Sequence, residues 1–142
     1  MTIEPMPLPA GLWSLAALAD ELVDAMQASP AGLPGGGLAP AQRMLAAVPD
    51  GTSRHLNAGI TALPPGYRGG THVHDAEELI ICVRGSGDLV IDGQPWHLAE
   101  GSVLFAPANA PHYSRVDDGG PMVVIWAYGP AAAEIVKLPQ EG

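Results

Sequence analysis

Two histidines one residue apart, His72 and His74, followed four positions later by the carboxylate of Glu78, are the residues in this chain whose spacing suggests chemistry. Imidazole nitrogen and carboxylate oxygen are donors that divalent transition metals accept. Side chains alternate along a strand, so His72 and His74 face the same way and present both rings to one point. Glu78 cannot join them on a straight strand. Six residues of extended chain cover about 20 Å, whereas metal bonds are about 2 Å long. The chain must therefore reverse: Asp75, Ala76 and Glu77 supply the turn, and Glu78 opens the returning strand opposite the histidines.

Gly66, His72, His74, Glu78 and Gly85 stand in a pattern of Gly, five residues, His-x-His, three residues, Glu, six residues, Gly. This resembles the first conserved motif of the cupin superfamily at every fixed position. Downstream, Gly101, Pro107 and His112 match the second cupin motif, with Asn109 where a glycine is usual and Val116 where an asparagine is usual. Asn is among the non-glycine residues that take a left-handed backbone most readily, so that replacement is mild. The two motifs span residues 66 to 116, over a third of the chain. The resemblance implies an all-β cupin double-stranded β-helix, or jelly-roll barrel, with His72, His74, Glu78 and His112 around one divalent transition metal inside its mouth. Fe(II) is the favoured ion, and Zn, Mn, Ni, Co or Cu suit the same mixed nitrogen and oxygen set. In some cupins with three histidine ligands the glutamate is instead a base beside the metal, a catalytic role open to Glu78.

Alternation from Glu78 turns Ile80 and Cys82 inward, and alternation from His112 turns Ser114 and Val116 inward. Cupin lyases that cleave dimethylsulfoniopropionate carry a tyrosine two residues after the glutamate, where this chain has Ile80. An apolar lining of this kind favours a dioxygenase-like oxidoreductase, because oxygen activation asks fewer acids and bases of the protein. The alternatives are a non-redox lyase, isomerase or decarboxylase, or a sensory cupin that binds a small molecule without turnover. Asn57, Thr61 and His55, on the polar face of one predicted strand, and Tyr67, Arg68 and Arg115, beside motif positions, complete the candidates for the substrate pocket. A buried apolar Cys82 and solvated arginines are the plainer readings of those side chains. Trp13, Trp126 and Tyr128 read as packing or interface residues.

The elements that must position these groups follow from composition and pattern. At 142 residues the chain fits one domain, and its 15 prolines and 18 glycines favour short strands and many turns. Residues 1–40 read as an arm, an amphipathic helix from Ser14 to Gln27 and a Gly/Pro-rich linker; 41–130 as the barrel; 131–142 as a tail with one weak helical turn. The helix carries Leu15, Leu18, Leu22, Val23 and Met26 on one stripe, to be buried against the barrel or a second subunit. Pro40 to Val48 fits a short helix or an edge strand equally. A strand is expected from His55 to Leu63, a fully buried central strand from Glu78 to Arg84, and a hairpin at Asp92-Gly93.

A formal charge of −9 argues against nucleic acid or an anionic membrane as partner and leaves a small-molecule substrate. One cysteine, no basic leader ahead of an apolar run and no apolar stretch long enough to span a bilayer fit a cytoplasmic protein. A homodimer is the default expectation, since small cupins commonly pair their sheets.

Overall fold

In the computed structural model, residues 10–28, 38–48, 51–130 and 135–139 are described. Two five-stranded antiparallel sheets face one another. The first has the order β1 (Ala41–Ala46), β2 (Asn57–Leu63), β9 (Met122–Gly129), β4 (Glu77–Arg84), β7 (Val103–Ala106). The second has the order β10 (Ile135–Lys137), β3 (His72–His74), β8 (His112–Val116), β5 (Ser86–Ile91), β6 (Gln94–Ala99). This is the expected double-stranded β-helix, preceded by one helix, α1 (Leu15–Ala28). The expected arm over residues 1–9 and the linker core over 29–37 lie outside the described residues, as do residues 49–50.

Period-two patterning determines what each strand buries. Between the sheets, Ile80, Leu89, Leu98, Val116, Met122 and Val124 form one apolar cluster. On the outer face of the first sheet, Ile60, Ala62 and Val123 form a second cluster with Leu18, Ala19, Leu22 and Met26 of α1. The helix therefore covers its own barrel. Ser14 caps it, its hydroxyl accepting from the Ala17 N–H at 3.3 Å. Arg84 ties the helix to β4 by donating to Asp20 at 2.6 Å and to the Ala16 carbonyl. Leu15, assigned to the buried stripe, is 43% exposed, since the helix's first turn overhangs the sheet.

Of the two readings open for Pro40 to Val48, the structure takes the edge strand: β1 pairs antiparallel with β2, with a register shift between Met44 and Ala46. Other expectations are corrected. The strand expected from His55 begins at Asn57, because the Leu56 N–H turns back onto the Ser53 hydroxyl at 3.0 Å. β4 is an interior strand, between β9 and the edge strand β7, but its outer face is not fully buried: Leu79, with Phe105 and Val103 on the neighbouring β7, is exposed. The tail expected past residue 130 contributes β10, which pairs with β3 in the register Ile135 to His74 and Lys137 to His72.

The motif glycines sit where the backbone needs them. Gly85 has φ of 74°, and a side chain there would overlap the Pro121 carbonyl. Asn109, in the glycine position of the second motif, takes φ of 63°, the left-handed conformation that asparagine tolerates. Asp92 and Gly93, both at positive φ, close the tight hairpin between β5 and β6.

Candidate metal centre

The second sheet delivers all three histidines. His72 and His74 lie on β3, and His112 is the direct partner of His72 across the β3–β8 pair. The turn after His74 is not a hairpin within one sheet. It carries the chain across to the first sheet, where Glu78 near the start of β4 faces back toward the rings.

Each imidazole is oriented by a backbone carbonyl two residues away in sequence. His72 Nδ1 is 3.1 Å from the Gly70 oxygen, His74 Nδ1 is 3.0 Å from that of Ala76, and His112 Nδ1 is 2.8 Å from that of Ala110. A ring whose Nδ1–H donates to a carbonyl has Nε2 free as a lone-pair donor. One ligand atom from each of the three rings lies within 4.8 Å of the others. His74 and His112 are buried, and His112 Nε2 has no hydrogen-bond partner among the described residues.

Glu78 Oε2 sits 3.1 Å from His74 Nε2 and 3.5 Å from His112 Nε2. The first is a hydrogen-bond distance; since two donors bound to one ion by bonds of about 2.1 Å also stand roughly 3.0–3.5 Å apart, the same separations accommodate a shared cation. The donor set, the orphaned Nε2 and the second layer of carbonyls thus fit a divalent metal. Burial holds the His72 pKa below its ordinary value, against the pull of the Gly70 carbonyl. Burial also disfavours charge on His112, but the Glu78 carboxylate and the Ala110 carbonyl outweigh it and the net shift is upward.

The centre opens into a cavity of about 360 Å³, at the small end of ligand sites. Of the residues put forward for the site from the sequence, His72, His74, Glu78, His112, Ile80, Ser114 and Thr61 line it. The others do not. His55 precedes β2 and is exposed. Asn57 is buried behind the wall, its Oδ1 accepting from the Val48 N–H and its Nδ2 donating to the Tyr128 hydroxyl at 2.9 Å. Cys82 faces inward but lies beyond the cavity in the apolar cluster, its thiol pKa raised by burial and only partly lowered by the Arg84 carbonyl. Tyr67 packs against the same cluster. Arg115 lies between the inward Ser114 and Val116, so it points outward and bonds Asp88 at 2.6 Å. Arg68 stacks over the ring of Tyr113, 4.3 Å from its centroid.

Sequence reasoning missed Gln42 and Met44 from β1, Trp126 and Tyr128 from β9 and Ile135 from β10, all of which line the cavity. For β9 a signal existed: Val124, Trp126 and Tyr128 are two residues apart and share a face. The aromatic pair forms a ladder onto the metal centre. Trp126 stacks on Tyr128 at 5.5 Å, and Tyr128 stacks on His74.

The family model described as Cupin domain matches residues 59–128. The chain belongs to the cupin superfamily. Among curated proteins it is similar to two dimethylsulfoniopropionate lyases of Ruegeria pomeroyi. It is 32% identical to DddW over 85 residues, 60% of this chain and 54% of that protein. It is 29% identical to DddQ over 90 residues, 62% of this chain and 45% of that protein. The chain thus spans about half the length of the curated relatives it matches. Among solved structures, a variant of the salicylate 1,2-dioxygenase of Pseudoaminobacter salicylatoxidans superposes with a TM-score of 0.77 at 20% identity, over 99% of this chain and 43% of that one. At that identity the likeness is one of fold.

Proposed function

We propose that this cupin is a metal-dependent enzyme acting on a small organic acid, and that its reaction is a non-redox elimination of the lyase type. The observation that carries the metal reading is the convergence of three carbonyl-oriented imidazoles, with the Glu78 carboxylate beside two of them. His72, His74 and His112 would hold the ion, with Glu78 as fourth ligand or as the base beside it. A divalent ion there supplies Lewis-acid polarisation of a substrate oxygen.

The chain's own groups then account for the proton. Glu78 is the carboxylate in the cavity able to accept a proton from the carbon next to the substrate carboxylate. The C–H electrons form the new double bond, and the leaving group on the next carbon departs with its bonding pair. Dimethylsulfoniopropionate-cleaving cupins carry a tyrosine where this chain has Ile80, yet the cavity does contain a phenol. Tyr128 is the direct partner of Glu78 across the β4–β9 pair, and it lines the cavity. With Asn57 donating to its oxygen, the Tyr128 O–H keeps its own proton to give. The case for oxidation rested on a lining poor in acids and bases, and Tyr128 weakens it.

Oxidation by a dioxygenase-like route is the second reading, supported by the mostly apolar wall around Ile80, Leu89 and Val124. Oxygen dependence separates the two. Protein loaded with Zn(II), Mn(II) or Fe(II) is given a panel of small carboxylates bearing a leaving group on the third carbon, dimethylsulfoniopropionate among them, without oxygen. New vinyl protons in the NMR spectrum, absent with Glu78→Gln, support elimination. Turnover only with Fe(II) and with stoichiometric oxygen uptake would replace it by oxidation.

A further inference from the structure

The wall supplied by β1, β2 and β9 carries a hydrogen-bond relay with a fixed direction. Trp126 Nε1–H donates to the Thr61 hydroxyl oxygen at 2.9 Å. An indole nitrogen can only donate, so the Thr61 proton is left to go elsewhere. It goes to Gln42 Oε1 at 3.1 Å, across the direct pair Gln42–Thr61. That bond fixes which end of the Gln42 amide is which. The carbonyl is used, and the amino group of Gln42, an exposed side chain at the cavity's edge, has among the described residues the Met44 thioether, a weak acceptor, at 3.6 Å. Gln42, Met44, Thr61 and Trp126 all line the cavity that holds the three histidines.

Charge supplies a second constraint. Among the described residues no Lys or Arg lines this cavity, and Glu78 is its one carboxylate. A divalent ion, Glu78 and one substrate carboxylate sum to zero. A second substrate anion would enter a mostly apolar space with no cation to meet it, which is costly. We infer that Gln42 is a specificity residue whose amide N–H recognises an uncharged oxygen acceptor on a substrate that carries at most one anionic group, placed at the metal. This rests on the proposed metal centre, and it sets the substrate apart from a simple sulfonium acid, whose cationic end offers no oxygen to Gln42.

The test is calorimetry on the full chain loaded with Zn(II), using three unreactive acids of similar length: 4-oxopentanoate, pentanoate and glutarate. The expected order places 4-oxopentanoate about fivefold tighter than pentanoate, the worth of one neutral hydrogen bond, and glutarate weakest. Gln42→Leu should erase the gap between the first two and leave pentanoate within about twofold of wild type. Thr61→Val, which cuts the relay while keeping the shape, should shrink the same gap. Equal binding of 4-oxopentanoate and pentanoate by the wild type, a gap that survives Gln42→Leu, or glutarate binding tightest would overturn the assignment. Metal content of the same samples separates the two levels. Retained zinc without acceptor preference sinks the role of Gln42 alone, whereas failure to retain zinc removes the metal centre and this inference with it.

Discussion

Tyr128 lies almost parallel to His74, with ring centroids 5.6 Å apart and planes inclined by 22°. The stack comes from the facing sheet, so the wall of the cavity also steadies a proposed ligand. Tyr128 is itself held by Asn57, whose amide is oriented by the Val48 N–H. Tyr128→Phe keeps the stack and removes the Asn57–Tyr128 hydrogen bond, so it should cost about 1 kcal/mol of stability and leave zinc affinity within a few-fold of wild type. Tyr128→Ala also removes the ring; it should cost about 3 kcal/mol and weaken zinc about tenfold. Urea unfolding and competition with a chelator measure the two effects. Equal zinc affinity in Tyr128→Ala and wild type would show that the ring does not position His74.

His112 presents its orphaned Nε2 to the same point as the other two rings. Replacing it with Ala should weaken metal binding by more than about 100-fold, beyond the usual loss for an outer-layer partner. The far-ultraviolet dichroism should be unchanged, since the ring's carbonyl contact is local. Metal analysis of protein prepared without chelator or nickel resin provides the reading. Stoichiometric metal in His112→Ala would remove this residue from the ligand set.

On the outer face of the second sheet, Asp88 accepts from Arg115 at 2.6 Å and contacts His97 Nδ1 at 3.0 Å. The Arg115 guanidinium first, and His97 second, hold its carboxyl below the usual aspartate value. A carboxyl depressed by folding stabilises the protein above its unfolded pKa of about 3.9 and loses that contribution as pH falls through the folded value. The melting temperature of wild type should therefore exceed that of Asp88→Asn at pH 7, and the difference should close below about pH 4. Added salt should reduce it as well, because the guanidinium is solvated. A difference that persists undiminished into acid would assign the effect to packing.

Met26 is among the largest fully buried side chains and anchors α1 on Ile60, Ala62 and Val123. Met26→Ala should cost about 2–5 kcal/mol, with the cavity side of the sheet untouched. Urea unfolding measures the loss, and ligand binding by the surviving native protein should match wild type. An effect under about 0.5 kcal/mol would mean that the helix docks without this contact.

Much of the centre was legible in the sequence because short-range rules govern it. Strand alternation placed His72 with His74 and Ile80 with Glu78, and the reversal needed to bring Glu78 back was a matter of length alone. The cupin resemblance added His112 and foresaw the barrel, which the two facing sheets show. Asn109 at a left-handed φ is likewise what its residue type allows. Position 115 was misread because adjacency to a motif was weighed above alternation, which turns Arg115 to the outer face.

The tertiary structure alone decided what shares the cavity with the histidines. Gln42, Trp126 and Tyr128 are separated from His72 by about thirty to fifty-six positions, and no local period relates them. Their place follows from strand order, which sets β1, β2 and β9 side by side and β3 in the opposite sheet. Strand order is a long-range choice made by packing of the whole core. The residue types at 72, 74 and 78 supplied donors for a candidate cation site. Which further donors and rings line the cavity beside them was settled only when the two sheets closed on each other.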